Sequence, residues 1–177
     1  MRSTLMLGYQ WLKKSPADDP LSLPAGYGGE PEAEAKEKVF KLVELYGIAC
    51  QLGCDMLQND ILDAFQARPT CRDSFPSRQF IKAVYQHAPK YSLLRRYVID
   101  TYVYKSANWS SARKRELRKH HTAFGNTALL EDVRKTEKLL AASPSYIERE
   151  DPNDRRSCHY HYHPSKKACS HKPKTSS

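Results

Sequence analysis

The middle of this chain is written in a helical period, and that restricts its fold more than any other feature. Val39, Leu42, Val43, Tyr46, Ala49 and Cys50 recur at helical spacing, which places them on one face of a helix. Glu32, Glu34 and Glu37 enrich its start, where negative charge meets the positive end of the helix dipole. Gly53 is a natural stop, since it tolerates a left-handed backbone. A second helix follows, capped by Asp55, with Leu57, Ile61, Ala64 and Phe65 inward. The very short connection predicts a hairpin of two packed helices. After a loop at 67–76, Ser77 caps a third helix over 78–87 that carries Phe80, Val84 and Tyr85, and Ser92 caps a fourth with Leu94, Tyr97, Val98 and Thr101. Ile99 to Tyr104 is β-branched and aromatic enough to suit a strand, but the preceding helical period argues against one. Residues 110–121 are polar almost all round. Asn126 or Thr127 opens a last helix with Leu129, Val133, Thr136 and Leu140 on one face, and Pro144 ends it. No alternating strand pair with an Asn-Gly or Asp-Gly turn appears. The expectation is an all-α array of four or five helices between about residues 36 and 142.

The flanks are different in kind. Residues 1–14 predict one short amphipathic helix with Leu5, Trp11 and Leu12 as anchors, and 15–35 read as a linker punctuated by Pro16, Pro20, Pro24, Pro31, Gly26, Gly28 and Gly29. Residues 143–177 read as a polar, disordered, basic tail that contains His and Cys. A mean hydropathy of −0.73 agrees with a compact middle and polar ends. No apolar run approaches the ~20 residues of a membrane-spanning helix, so no membrane association is expected. The stretch from Leu5 to Leu12 is broken by Gln10 and ends in Lys13-Lys14 without a small-residue cleavage site. It predicts a non-secreted, intracellular protein of the cytoplasm or nucleus, with reduced thiols. Five cysteines do not make a dense disulfide scaffold.

The formal charge is +9, unevenly spread: residues 1–35 are net −2, residues 36–104 net +3 and residues 105–177 net +8. A basic C-terminal third can attract nucleic acid, anionic lipid or an acidic protein, and charge alone does not choose among them.

Two stretches resemble a known family. In VFKLVELYGIACQLGCDMLQNDILDAF (39–65), Leu45, Tyr46, Ala49 and Leu52, then Leu57, Gln58, Asn59, Ile61, Asp63 and Ala64, resemble the paired helices in the C-terminal half of the fungal BTB/POZ domain. FIKAVYQHAPKYSLLRRYVID (80–100) is similar to the Val-Tyr, Ser-x-Leu-Arg-Arg and Val-Asp pattern that follows in that family, and Trp11-Leu12 to its upstream Trp-Leu-Tyr-Thr-Gly. The resemblance covers about residues 36–105. Cys50-Gln51 and Lys13-Lys14 depart from the family's Asp-Lys and Tyr-Thr. The strands and first helices of a BTB domain have no room before residue 1, so the chain is expected to be either truncated or a natural remnant of the helical half, and in either case a BTB-type homodimer is not expected. What the resemblance implies is a binding module without catalysis.

The sharpest local cluster lies in the tail. Cys158, His161, His163 and Cys169 form C-x2-H-x-H-x5-C, with His159 and His171 in reserve. Two thiolates and two imidazoles are a reasonable tetrahedral Zn set, and ligands so close in sequence need little other structure. The run from Cys158 to His163, with Cys169, also resembles the family's terminal Cys-x-Tyr-His-x-His-x(n)-Cys. A polar tail with incidental metal affinity is the plainer reading. A second cluster is Arg113, Lys114, Arg115, Arg118, Lys119, His120 and His121, near Tyr102, Tyr104 and Trp109. The cations suit phosphates and the rings suit bases. Without a recognition motif around it, a solvated helical face is the simpler account. Cys50, Tyr46, Tyr85 and Tyr97 sit at core spacing.

Catalytic signatures are absent from the sequence: no G-x-S-x-G, no Walker loop, no H-E-x-x-H and no G-x-G-x-x-G after a strand. The chain therefore reads as a non-enzymatic protein–protein interaction module, an adaptor or scaffold. Its partner is expected in an apolar groove between the helices at 39–65, lined by Leu45, Leu52 and Leu57. The alternative is a basic nucleic-acid-associated protein that uses residues 105–121, with or without a Zn-bound tail.

Overall fold

Each stretch with helical spacing forms a helix. In the computed structural model, which describes residues 32–67, 76–123, 125–142, 151–153 and 157–163, α1 spans Glu32–Gln51, α2 Asp55–Gln66, α3 Arg78–His87, α4 Leu93–Ser106, α5 Ser111–Ala123 and α6 Thr127–Ala142, and a single 3-10 turn follows at Ser157–Tyr160. Among the described residues there is no strand. The β-branched Ile99–Tyr104 stretch lies inside α4. Residues 32–35 of the expected linker are already the first turn of α1, while the expected helix at 1–14 and the rest of the linker lie outside the described residues. Among the described residues no helix is long and apolar enough to cross a membrane.

The helix starts follow local chemistry. Ser77 Oγ accepts the Phe80 N–H at 3.1 Å and Ser92 Oγ the Arg95 N–H at 3.4 Å, so each serine satisfies one of the N–H groups that a helix start leaves without a partner. Asp55 does not cap α2. Cys54 takes the cap position without a side-chain bond, and Asp55 is the first helical residue, where its charge still meets the dipole. Gly53 turns the chain between α1 and α2 at φ +64°, a conformation that costs residues with a Cβ.

The core is shared by five helices and the tail. Leu42, Val43, Tyr46 and Ala49 from α1 meet Ile61, Leu62 and Phe65 from α2, Ile81 and Val84 from α3, Leu94 and Val98 from α4, and Leu129 and Val133 from α6. α1 lies against both α2 and α3, α4 packs on α6, and α5 reaches the body chiefly through α6. The Phe65 and Phe80 rings sit 5.4 Å apart, centre to centre, and lock α2 to α3. At the crossing of α1 and α3 the backbones come so close that only Gly47 fits.

Polar side chains join the helices at their ends. The buried Leu94 N–H, in the first turn of α4, donates to Tyr46 Oη at 3.2 Å. Burial pushes the Tyr46 hydroxyl pKa well above the usual phenol range. Arg95 Nε and Nη2 donate to the carbonyls of Ala88 and Tyr85 at 2.9 and 2.8 Å, satisfying acceptors that the end of α3 leaves open. Tyr85 donates to Asp132 Oδ2 at 3.0 Å and so ties α3 to α6.

Candidate functional site

Asn59, Asp63 and Gln66 follow one another at spacings that put them on one face of α2, opposite the core residues Leu57 and Ile61. All three hold the tail. Gln66 Nε2 donates to the Pro152 carbonyl at 2.9 Å, and His161 Nε2 lies 2.9 Å from Asp63 Oδ1. Asn59 pairs with the Tyr162 backbone twice, donating to its carbonyl at 3.2 Å and accepting its N–H at 2.9 Å. α4 supplies the other side. Tyr97 donates to Asn153 Oδ1 at 2.6 Å, and Asp100 Oδ2 accepts the Tyr160 hydroxyl at 2.9 Å. The Tyr160 ring is fully buried, edge-on to Tyr97.

At 151–153 and 157–163 the chain is irregular apart from one 3-10 turn, as expected of the tail, but it is not disordered: it is strapped across α2 and α4. Sequence alone does not show this, because a polar helix face reads as a solvated one whether or not a distant segment covers it.

Two members of the expected metal set have described side chains, His161 and His163. His161 is buried and uses Nε2 on Asp63. His163 is exposed, its ring centre 6.1 Å from that of His161. Cys169 and the Cys158 side chain lie outside the described residues. Among the described residues no three His, Cys, Asp or Glu side chains gather around a point that could hold a metal ion.

The leucines expected to line a groove between α1 and α2 are divided. Leu45 and Leu57 are 2% and 7% exposed and belong to the core, whereas Leu52 is 76% exposed. The seam between the two helices is closed because α3 lies against α1 and sets Phe80 on Phe65. Leu52 and the neighbouring Met56 form an exposed apolar corner instead.

On α5 most of the basic run has local work. Arg113 stacks over the Trp109 ring at 4.1 Å, Lys114 donates to the Ala107 carbonyl at 3.2 Å, and Arg118 pairs with Glu137 on α6 at 2.8 Å. Lys119 and His120 lie near Glu116 at 4.0 and 3.3 Å. Tyr102, expected to stack on bases, is buried, and burial pushes its hydroxyl pKa up to about 12. Arg115 and Lys119 are the exposed cations that α5 presents on one face.

No protein-family model, curated protein or solved structure matches this chain. The geometry of its own residues carries the functional reading. The largest departures from an ordinary helical surface are apolar. Besides the Leu52–Met56 corner, Tyr91 is 88% and Leu139 72% exposed. Both belong to an open cleft of about 560 Å³ between α4 and α6, floored by Ile99 and Leu140 and rimmed by Lys90, Arg96 and Lys135.

Residue His121, the last of the basic run, is the interior polar exception. It is fully buried against Tyr102, and Asn126 Nδ2 donates to its Nδ1 at 3.4 Å. Among the described residues its Nε2 meets no hydrogen-bond partner. Burial pushes its pKa below the usual histidine range, helped by the charges of Arg78 and His120. Below about pH 6.5 the unfolded chain takes up a proton that the folded chain resists, so stability falls as pH falls through that window. The melting temperature is expected to drop between about pH 7.5 and about pH 5.5 by more in the wild type than in His121→Leu. Equal drops would mean that His121 contributes nothing to acid sensitivity.

Proposed function

We infer that this chain is a non-catalytic protein–protein interaction module, an adaptor or scaffold of the kind that its resemblance to the helical half of a fungal BTB/POZ domain implies. The observation that carries the reading is the pair of exposed apolar sites, Leu52 with Met56 and Tyr91 with Leu139, on a body whose other large apolar side chains are mostly inside. Large apolar side chains that stay in water offer a place where a partner can bury them. The polar groups support the same reading. Asp63, Asp100 and Asp132 meet His161, Tyr160 and Tyr85, and each contact joins one structural element to another.

The test is purification of the full chain with its cross-linked partners from native cells, after nuclease treatment and in about 0.5 M salt, where surface charge is screened. A protein partner retained by the wild type and lost from Leu52→Arg or Leu139→Arg is the expected result. Retention that ignores both substitutions overturns the reading.

The exposed cations Arg113, Arg115 and Lys119 favour a second reading, as a nucleic-acid-associated protein. It requires binding to a short DNA duplex that weakens about fortyfold between about 50 and 200 mM salt, as three phosphate contacts would give. That binding must also vanish when the three cations are replaced by alanine. Because Arg113 already covers Trp109, and because Tyr102 is buried, weak, non-specific binding is the expected outcome.

A further inference from the structure

The α4–α6 cleft has chemistry of its own. Its floor is apolar, with Ile99, Leu139 and Leu140 in contact with the opening. Six charged side chains line it, Lys90, Arg95, Arg96 and Lys135 against Asp100 and Asp132. Both carboxylates are turned to tyrosines inside the fold, Asp132 to Tyr85 and Asp100 to Tyr160. Arg95 is committed to the carbonyls that end α3. The charge that faces outward is therefore the positive charge of Lys90, Arg96 and Lys135. Arg96 is half exposed and only 4.0 Å from Asp100 at its nearest nitrogen, and Lys90 and Lys135 are exposed.

Tyr91 stands at the mouth with φ 70°, a left-handed conformation that a bulky side chain adopts only at an energetic cost. The residue is 88% exposed and lines the cleft, with the Lys90 ammonium 5.3 Å from its ring centre.

Resting on the reading as an interaction module, we propose that this cleft docks an amphipathic helix of a partner protein, with a leucine-rich face flanked by aspartate and glutamate. Charge complementarity selects the flanks, since an acidic helix meets Lys90, Arg96 and Lys135. The apolar lining selects a segment with a leucine face over a small anionic ligand. Tyr91, Ile99, Leu139 and Leu140 all line the opening, and the apolar face of a helix laid along it covers the exposed Tyr91 and Leu139. A groove between two helices is a usual receptor for such a segment.

The probes are two synthetic peptides of about 18 residues, long enough to hold a helix, with the same leucine face and either glutamate or lysine flanks. Binding to the full chain is followed by backbone amide NMR shifts. The glutamate peptide is expected to bind at least about tenfold tighter than the lysine peptide, to shift amides along 90–100 and 132–140, and to weaken about tenfold or more on Leu139→Glu or Lys135→Glu. Both residues are exposed, so these variants should fold, and unchanged amide dispersion confirms that they do. Equal binding of the two peptides, shifts confined to the Leu52–Met56 corner, or no binding at all overturns the proposal. The native-cell purification separates this failure from that of the broader reading. A partner lost on Leu52→Arg but kept on Leu139→Arg leaves the module intact and moves its site away from the cleft.

Discussion

Replacing Gly47 by alanine is expected to destabilise the protein by about 2 kcal/mol, although alanine is the better helix former. Two effects oppose each other. Inside α1 the intrinsic preference favours alanine by about 1 kcal/mol. Against it, a Cβ at this position would stand 2.6 Å from the His87 carbonyl oxygen and 3.2 Å from its carbon. Those atoms are backbone, so no side chain can rotate out of the way. Nor can the end of α3 swing aside freely, because Arg95 grips the neighbouring carbonyls of Tyr85 and Ala88. Overpacking of this kind costs about 3 kcal/mol, which exceeds the gain in propensity. The midpoint of urea unfolding should fall with an unchanged slope. A midpoint at or above that of the wild type would show that α1 and α3 can separate at little cost, and that the close crossing does not hold this fold together.

The second large effect lies in the tail. Tyr160→Ala is expected to cost about 4 kcal/mol, the range for removal of a fully buried aromatic ring. Tyr160→Phe, which keeps the ring and loses only the bond to Asp100, is expected to cost about 1 kcal/mol. The ring fills the space between the tail and α4 against Tyr97. Its hydroxyl meets Asp100, which also lies 3.9 Å from His159. If 151–163 were a free tail, neither change would register in thermal unfolding. The two variants together separate packing from hydrogen bonding, and an alanine variant as stable as the wild type would remove the tail from the folded unit.

These two positions also mark how far the sequence could be read. Gly47 has helical neighbours on both sides, and only the crossing of α3 explains why no side chain stands there. Tyr160 sits in a stretch of His, Tyr and Cys whose pattern suggested metal ligands. In the fold, Tyr160 and His161 serve as packing and hydrogen-bonding groups for α2 and α4. The polar marks of the LQNDILDAF stretch were legible as a pattern, but the tail that Asn59 and Asp63 hold was not. Burial of the expected surface leucines was not legible for a similar reason. Leu45, Leu52 and Leu57 share a periodic stretch, yet the assembled body buries the first and third and leaves Leu52 in water.

The sequence by itself determined the all-α class, the starts of α3 and α4 at Ser77 and Ser92, and most of the core face of each helix. These depend on residues within one or two turns of each other, and helical spacing and capping act over that distance. Only the tertiary structure decided which apolar residues remain outside, which carboxylates are occupied by tyrosines, and that a segment some hundred residues after α2 lies across it. Those outcomes depend on which helix covers which face. Covering is a property of the assembled body, and no local spacing encodes it.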